Sequence, residues 1–453
     1  MRILLPTLAA GLAACSMVVP SSDQVPSFRV DPAWPRPLPE ENGVQLILGQ
    51  VAGIAVDERN GHVWIIHRPA TLLADEWNAK ESRPVTHRCC KAVPPVAEFD
   101  AAGNYLRGWA PSDPKVQWPK SEHGIYVDPE GNLWLAGNAE EDHQILKFTP
   151  EGKFLMQIGR AGKSEGSNST TQLGRPAHMV MDPKAQELYV ADGDGNRRVI
   201  VFDAKSGAYK RHWGAYGAQP SDDKLPPYDP NQPPARQFAN PVHCVRLSND
   251  GKVYVCDRVN NRIQVFEPSG KFLHEMRVEP LTLANGSVWD MVLSHDAAQR
   301  FMYVADGANG RVYILNRADG AQVSSFGRTG RMAGEFKWVH NIAIDRQGNL
   351  YTSEVGFGRR VQKFVLLSFW RLRRIQARAT GAGFHALYKG CMKACEIFHI
   401  THKKSFRWKW RHTNGDGRAV ESKESYALYF ECVTAARAAG YEPRKQLRTA
   451  AAA

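Results

Sequence analysis

The amino-acid sequence predicts an all-β fold, a six-bladed β-propeller followed by a short appended α/β segment. Two observations carry this prediction: a strand pattern recurs six times, and an arginine returns at one point of the pattern. Each copy has an apolar strand ending in Asp or Ser, a glycine-containing turn, an aromatic strand and a third strand. Four short antiparallel strands repeated around an axis form a β-propeller.

The six copies are defined by the residue that ends their first strand. These residues are Asp57, Asp128, Asp182, Ser248, Ser294 and Asp345. In four copies an arginine stands four residues before the end of the third strand. We interpret these arginines as an ion-pair network between blades: Arg198, Arg262, Arg311 and Arg360. The last copy stops after its third strand, at Phe364, so we expect Phe28–Val30 to supply its outer strand.

Domain boundaries follow from the repeat. The propeller spans residues 28–364, and Pro/Gly-rich inserts at about 69–94 and 215–238 are predicted to be long loops on one face. Loops on a rigid scaffold are where binding and catalytic groups concentrate. We expect these inserts to border the functional site.

The charge of the chain belongs to its C-terminal part. The 453 residues carry 58 Lys and Arg against 46 Asp and Glu, a formal net charge of +12. Residues 365–453 hold 17 basic and 6 acidic residues, and the remainder holds 41 and 40. The propeller is therefore near neutral, and its charge predicts no nucleic-acid partner. A hydrophobic content of 43 % excludes a disordered chain.

The N-terminus predicts export and lipid attachment. Arg2 precedes the apolar run Ile3–Ala14, which is typical of a secretory signal. Residues 1–15 end in Leu-Ala-Ala-Cys and resemble a bacterial lipobox, in which Cys15 is lipidated; the alternative is an ordinary signal cut near Ala14. Residues 16–27 form a tether. We expect a monomer anchored to the outer membrane facing the periplasm, or secreted, with no membrane contact except the lipid.

Three histidines share one position of the repeat. The position lies five residues before the end of the first strand, at the mouth of the central channel. Its occupants in the six copies are Ala52, His123, Ala177, His243, Trp289 and His340. Histidine occupies every second blade, so three imidazoles should converge on the axis. Three His ligands and an open position are typical of catalytic zinc, whereas a single such His is more often a packed core residue.

Two arginines follow the second strand at the same register. They are Arg68 in the first copy and Arg258 in the fourth, on opposite blades. A facing arginine pair can hold a substrate carboxylate in a bidentate manner. The alternative is a structural role in ion pairs between blades.

The six copies are NHL-type repeat sequence. They resemble the catalytic core of peptidyl-α-hydroxyglycine α-amidating lyase. The resemblance is collinear from about Gln50 to Phe364, and four segments carry it: His123–Ile125, Val242–His243, Cys256–Gln264 and Val339–His340. That family is a six-bladed propeller with a three-histidine zinc and a structural calcium, and it releases a peptide amide and glyoxylate.

The resemblance implies roles for individual residues. It implies zinc ligands at His123, His243 and His340, and active-site arginines at Arg68 and Arg258. It also implies backbone carbonyl ligands to calcium from Ile54 and Ile125.

Three residues depart from the family pattern. Asp194 stands where the family has a catalytic tyrosine, Asn341 replaces a calcium-binding carboxylate and Trp338 replaces a methionine. Asn341 would still offer calcium an oxygen, and Asp194 would have to take or relay the proton.

The sequence thus predicts an extracytoplasmic, metal-dependent lyase acting on a small carboxylate-bearing or peptide substrate. The alternative from another class is a non-catalytic NHL propeller that binds a peptide, glycan or protein partner. An esterase or lactonase-type propeller is a third possibility, but such enzymes hold calcium with carboxylates, and this ring offers histidine.

The cysteines of the chain allow several bonding states. Cys244 and Cys256 should be cross-strand neighbours, as a disulfide or, as we favour, as thiols; Cys89-Cys90 could bind metal, form a disulfide or be exposed. Cys391 and Cys395 fall on one face of a candidate helix.

Residues 365–453 form a basic extension. Within it, the pattern of residues 405–443 predicts a ββα unit with its helix at about 426–439.

Overall fold

The computed structural model describes residues 25–76 and 89–367 and, in the C-terminal part, 393–402, 405–413, 419–426, 432, 436 and 441–443. The chain forms two compact units divided at residue 372. No helix among the described residues is long and apolar enough to cross a membrane. The predicted signal, Cys15 and most of the tether lie outside the described residues.

The N-terminal unit contains six four-stranded antiparallel sheets, numbered here in chain order. Sheet 1 contains Gln50–Asp57, His62–Arg68, Val96–Phe99 and Tyr105–Trp109. Sheet 2 contains Glu122–Val127, Leu133–Gly137, Gln144–Phe148 and Phe154–Gly159. Sheet 3 contains His178–Asp182, Glu187–Asp192, Arg198–Asp203 and Tyr209–Trp213.

The second half repeats this architecture. Sheet 4 contains Val242–Leu247, Val253–Asp257, Arg262–Phe266 and Phe272–Arg277. Sheet 5 contains Asp290–Leu293, Phe301–Asp306, Arg311–Asn316 and Gln322–Phe326. Sheet 6 contains Val339–Ile344, Leu350–Glu354 and Val361–Leu367, with Ser27–Asp31 as its fourth strand. The all-β prediction is confirmed, and the sheets are of the kind that a β-propeller contains.

The fourth strand of sheet 6 comes from the N-terminal end of the described chain, as the sequence predicted. Phe28 lies opposite Leu366 and Val30 lies opposite Phe364. The Phe28 ring packs edge-on against Tyr303, with 5.2 Å between ring centroids. The first and last segments of the repeat region are therefore joined by both hydrogen bonds and apolar contacts.

The core lies between neighbouring sheets. The first strands lie side by side in cyclic order, with sheet 6 next to sheet 1. Six buried apolar clusters each join two consecutive sheets. The aromatic residue of each second strand is buried in this core: Trp64, Trp134, Tyr189, Tyr254, Tyr303 and Tyr351. Apolar side chains on both faces explain why these strands lack a strict apolar–polar alternation.

The repeated arginines form ion pairs within a sheet, which corrects the interpretation of a network between blades. Arg198 Nε donates to Asp192 at 2.8 Å, and Arg262 and Arg360 make the same bond to the residue that ends their second strand. In all three, Nη2 donates to a carbonyl of the loop that enters the sheet. Arg262 Nη1 donates instead to the Tyr216 hydroxyl and the Glu275 carboxylate. Arg311 differs, because it is exposed and donates to Ser325 at 3.4 Å.

The first insert contains regular secondary structure and is not one long loop. It contains the 3₁₀ turns Pro69–Thr71 and Ala74–Glu76, and the strand Cys89–Ala92. That strand pairs in parallel with Val44–Ile47, which also pairs with Glu40–Glu41. The second insert contains the 3₁₀ turn Ala215–Gly217.

Four cysteines of the N-terminal unit form disulfides. Cys244 and Cys256 lie opposite each other in sheet 4 and are bonded, so our preference for thiols was wrong. The adjacent Cys89 and Cys90 are bonded to each other, and their sulfurs are therefore not metal ligands in this structure. Cross-strand proximity was visible in the sequence, whereas the bond depends on side-chain geometry.

The C-terminal unit contains the strands Lys393–His402, Ser405–Thr413, Ala419–Glu421 and Tyr441–Pro443. The predicted strand at 406–410 lies within the second of these. Cys395 lies in the first strand, so the helix proposed around it was wrong. Of the predicted helix at 426–439, the described residues within 427–439 are Cys432 and Ala436, both helical. The other residues there lie outside the described part of the chain.

Candidate metal centre

The three predicted histidines lie on the first strands of sheets 2, 4 and 6. His243 and His340 are unpaired residues where the strand register shifts, between Val242 and Cys244 and between Val339 and Asn341. The register of sheet 2 shifts beside His123 in the same way. A β-bulge turns a side chain out of the regular alternation of a strand. The bulges allow all three imidazoles to share one space.

The three imidazoles are buried together. Their ring centroids lie 4.8 Å apart for two pairs and 5.3 Å apart for His123 and His243. One ring nitrogen from each lies within 4.8 Å of the others. The exposed fractions of the residues are 2 %, 1 % and 4 % for His123, His243 and His340. The structure thus brings together the residues that the repeat alignment singled out.

Each imidazole is oriented by a backbone carbonyl of the neighbouring sheet. The Nδ1 atoms of His123, His243 and His340 bond the carbonyl oxygens of Ala177, Trp289 and Ala52, respectively. These acceptors are the other three occupants of the same repeat position. A carbonyl can only accept, so Nδ1 carries the proton and Nε2 keeps its lone pair. His243 Nε2 is buried with no hydrogen-bond partner among the described residues.

The histidines are neutral at ordinary pH. Burial is the main cause that lowers the pKa of His123 and of His340 to about 3. Burial, with the neighbouring His340 and Arg258, also holds the pKa of His243 well below its usual value. Neutral imidazole is the form that binds metal. Three oriented Nε2 lone pairs, one of them an orphan, fit a zinc ion with an open fourth position.

Asp194 lies beside the histidines. Its Oδ2 is 3.7 Å from His123 Nε2 and accepts a hydrogen bond from Asn138 Nδ2 at 3.4 Å. Burial raises the pKa of Asp194, and Arg258 and His340 act in the opposite direction. The Asp194 carboxylate therefore borders the buried histidine cluster.

Asn138 is a site residue that the sequence reasoning missed. It accepts a hydrogen bond from Arg68 Nη2 at 3.0 Å and donates to Asp194, so it links the two side chains. Asn138 stands four residues after Trp134, as Arg68 and Arg258 stand four residues after Trp64 and Tyr254. Aligning the copies on the aromatic residue of the second strand would have found it.

The two predicted arginines differ in their hydrogen bonding. Arg68 is engaged by the protein: it donates to the Glu122 carbonyl at 2.8 Å and to Gln50 at 3.2 Å, in addition to Asn138. Arg258 instead lies over the Trp289 ring, 4.3 Å from its centroid. No partner is found for its buried Nε among the described residues. Of the two, Arg258 has donors to offer a ligand.

Arg258 is also electrostatically coupled to the site. Burial lowers the pKa of Arg258 to about 10, and Asp194 acts in the opposite direction. The guanidinium remains charged at neutral pH. Trp289 packs against His340, with 5.7 Å between ring centroids, so Arg258 borders the histidines through this indole.

The side-chain oxygens that a calcium ion would need here are already engaged by the protein. Asn341 Oδ1 bonds His340 Nδ1 at 2.6 Å, and its Nδ2 donates to Asp290 at 3.1 Å. Ile54 and Ile125, whose backbone carbonyls were expected to bind calcium, line a cavity of ≈ 540 Å³. Calcium requires six to eight oxygen ligands, usually with carboxylates. The one carboxylate bonded to Asn341 is already paired with Arg246.

Comparison with known proteins agrees with a fold built from NHL repeats. Residues 242–266 match the NHL repeat model. NHL repeat-containing protein 3 of Mus musculus is 24 % identical over 361 residues, covering 75 % of this chain and 84 % of that protein. Peptidyl-glycine alpha-amidating monooxygenase B of Xenopus laevis is 26 % identical over 339 residues, covering 72 % of this chain and 34 % of that protein.

The name of a third relative states the predicted activity. Peptidyl-alpha-hydroxyglycine alpha-amidating lyase 1 of Drosophila melanogaster is 24 % identical over 359 residues, covering 74 % of this chain and 59 % of that protein. The chain spans about a third of the length of the monooxygenase. The structure is that of an all-β protein with a buried three-histidine centre, and one segment of it matches the NHL repeat. Among such proteins it is similar to the amidating lyases and monooxygenases, as the sequence resemblance predicted.

Proposed function

We propose that this protein is a zinc-dependent lyase of the amidating type, built as one closed six-bladed propeller. Its substrate would be a peptide that ends in α-hydroxyglycine, and its products a peptide amide and glyoxylate. The observation that carries the proposal is the orientation of the three histidines. Their Nδ1 atoms are bonded to carbonyls and their Nε2 atoms remain available.

His123, His243 and His340 would hold the zinc ion. Zinc supplies Lewis acidity, which lowers the pKa of a substrate hydroxyl and favours loss of its proton. The protein must then bind the substrate carboxylate, accept the hydroxyl proton and deliver a proton to the departing amide nitrogen. Atoms balance in this reaction, because the C–N bond breaks as the C–O bond becomes a carbonyl.

Arg258 and Asp194 divide these tasks. Arg258 binds the carboxylate, since its Nε has no partner and Trp289 holds the guanidinium plane. Asp194 accepts the hydroxyl proton and returns it to the amide nitrogen. Burial raises the pKa of Asp194, which makes this carboxylate a stronger base than an exposed aspartate. Arg68 and Asn138 position Asp194 through the chain of hydrogen bonds described above.

A second candidate is a propeller that binds a carboxylate-bearing peptide or another ligand without turnover. One observation favours it: Asp194 stands where the amidating lyases that the chain resembles have a catalytic tyrosine. Aspartate remains a weaker base than tyrosinate. Under this proposal Arg258 and the metal would bind the same ligand group but no glyoxylate would form.

Metal content and glyoxylate release test both candidates. We expect stoichiometric zinc in the purified protein and glyoxylate from a hydroxyglycine-terminated peptide. His123→Ala and His340→Ala should lose both, whereas the exposed His295→Ala should keep both. Zinc without glyoxylate supports the non-catalytic candidate. A protein without stoichiometric zinc, or zinc that survives His123→Ala, refutes the metal centre.

We further propose that the protein is exported as a lipid-anchored monomer. The support is the signal and lipobox pattern that ends at Cys15. The native protein should fractionate with membranes and incorporate labelled fatty acid, and Cys15→Ser should abolish the label. Unchanged labelling of the variant would contradict lipidation at this residue.

A further inference from the structure

An ion pair lies immediately next to the histidine layer. Arg246 is on the first strand of sheet 4, three residues after His243, and Asp290 begins the first strand of sheet 5. Arg246 Nη2 lies 2.9 and 2.7 Å from the two carboxylate oxygens of Asp290. The same nitrogen donates to the Ile342 carbonyl in sheet 6 at 3.1 Å. One guanidinium thus joins the inner strands of three consecutive sheets.

Asp290, the acceptor of this ion pair, also accepts hydrogen bonds from other groups. Asp290 is buried, and it also accepts hydrogen bonds from Asn341 Nδ2 and from the Ile342 backbone N–H, both at 3.1 Å. Asn341 in turn bonds His340. Arg246, Asp290 and Asn341 therefore form a continuous network that reaches the metal centre.

The charges at the repeat position next to the histidines cancel. The repeat position that follows the histidine ring is occupied by Gly53, Gly124, His178, Cys244, Asp290 and Asn341. Asp290 is the one acid among them, and the charge of Arg246 cancels it. Calcium ions are held by several carboxylate and carbonyl oxygens. The guanidinium would also repel a calcium ion bound next to it.

We propose that the Arg246 guanidinium replaces a structural calcium ion in this protein, so that the propeller is held together without calcium. A guanidinium suits the role because it is planar, permanently charged and able to donate several hydrogen bonds in fixed directions. Arg246 lines a cavity of ≈ 540 Å³ with Ile54 and Ile125, two residues expected to contact calcium. The proposal does not depend on whether the protein is a lyase.

Elemental analysis of the native protein is the first test. Protein produced with millimolar calcium and passed over a desalting column should contain zinc but no stoichiometric calcium. Added calcium should leave its melting temperature unchanged, with magnesium as the control. One calcium per chain, or a saturable rise in melting temperature, would overturn the proposal. Zinc content and glyoxylate release are measured separately, so failure of the lyase proposal would not be confused with failure of this one.

Variants test the role of the guanidinium. Arg246→Gln should lower the melting temperature by roughly 4–7 °C, because Asp290 is left buried and unpaired. The matched control Arg311→Gln removes an exposed arginine of sheet 5 and should have no such effect. If Arg246→Gln is insoluble while Arg311→Gln is soluble, the stabilising role is supported. Equal melting temperatures of the two variants would overturn it.

A double variant tests the replacement directly. Arg246→Gln combined with Asn341→Asp removes the cation and places a second carboxylate beside Asp290. Calcium should raise the melting temperature of this variant by about 4 °C when it is present at about 100 times its Kd. Absence of any response would show that the guanidinium is not what excludes calcium.

Discussion

Replacing Arg258 should remove substrate binding without weakening the fold, which is the opposite of the usual result for a buried arginine. Arg258 has no hydrogen-bond partner at Nε among the described residues and rests on Trp289. Two charge-assisted hydrogen bonds to a substrate carboxylate are together worth about 3–4 kcal/mol. Arg258→Met should therefore lower kcat/KM by roughly 100- to 1,000-fold, mainly through KM. Its free energy of unfolding should be unchanged or higher.

Arg68 provides the matched comparison. Arg68→Met removes three hydrogen bonds to Glu122, Gln50 and Asn138. At about 1 kcal/mol each, their loss should lower the free energy of unfolding by roughly 3 kcal/mol. Because Asn138 also bonds Asp194, this variant should lower kcat more than it raises KM.

The assay is glyoxylate release under steady-state conditions, with urea unfolding of both variants. If the protein does not turn over, protection of the melting temperature by a hydroxyglycine-terminated peptide replaces the kinetic measurement. The reasoning is refuted if Arg258→Met keeps kcat/KM within about threefold of the native value, or if it is destabilised more than Arg68→Met.

Three further outcomes are expected. Phe28→Ala should lower the free energy of unfolding by about 2 kcal/mol, because the half-buried ring holds the closing strand; the exposed Phe357→Ala should change it by less than about 0.5 kcal/mol in urea unfolding. Burial raises the pKa of Asp194 above its usual 3.8, and a base must be deprotonated, so kcat/KM should rise with pH through a value above 3.8. Asp194→Asn should abolish that rise; an unchanged pH profile would exclude this carboxylate as the base. Removing the disulfide by Cys244→Ala with Cys256→Ala should cost about 3 kcal/mol, given a sequence separation of 12 residues, and dithiothreitol should reproduce the loss in the native protein but not in the variant.

The sequence by itself determined the repeat, the closing strand and the ring of histidines. Strand pattern and repeat length are local properties, and equivalent positions of a repeat fall at equivalent places in the fold. His123, His243 and His340 could therefore be brought together by alignment alone. Closure by Phe28–Val30 followed from one missing strand in the last copy.

The tertiary structure decided which of these groups are free and which are engaged. Arg68 and Arg258 occupy equivalent repeat positions, yet only the neighbours of Arg68 satisfy its donors. The bond between Arg246 and the Ile342 carbonyl joins residues 96 positions apart. Such contacts depend on the rotation and the spacing between neighbouring sheets. No local sequence pattern encodes either quantity. The same reason explains why the disulfide of sheet 4 and the ion pair next to the histidines emerged only from the folded chain.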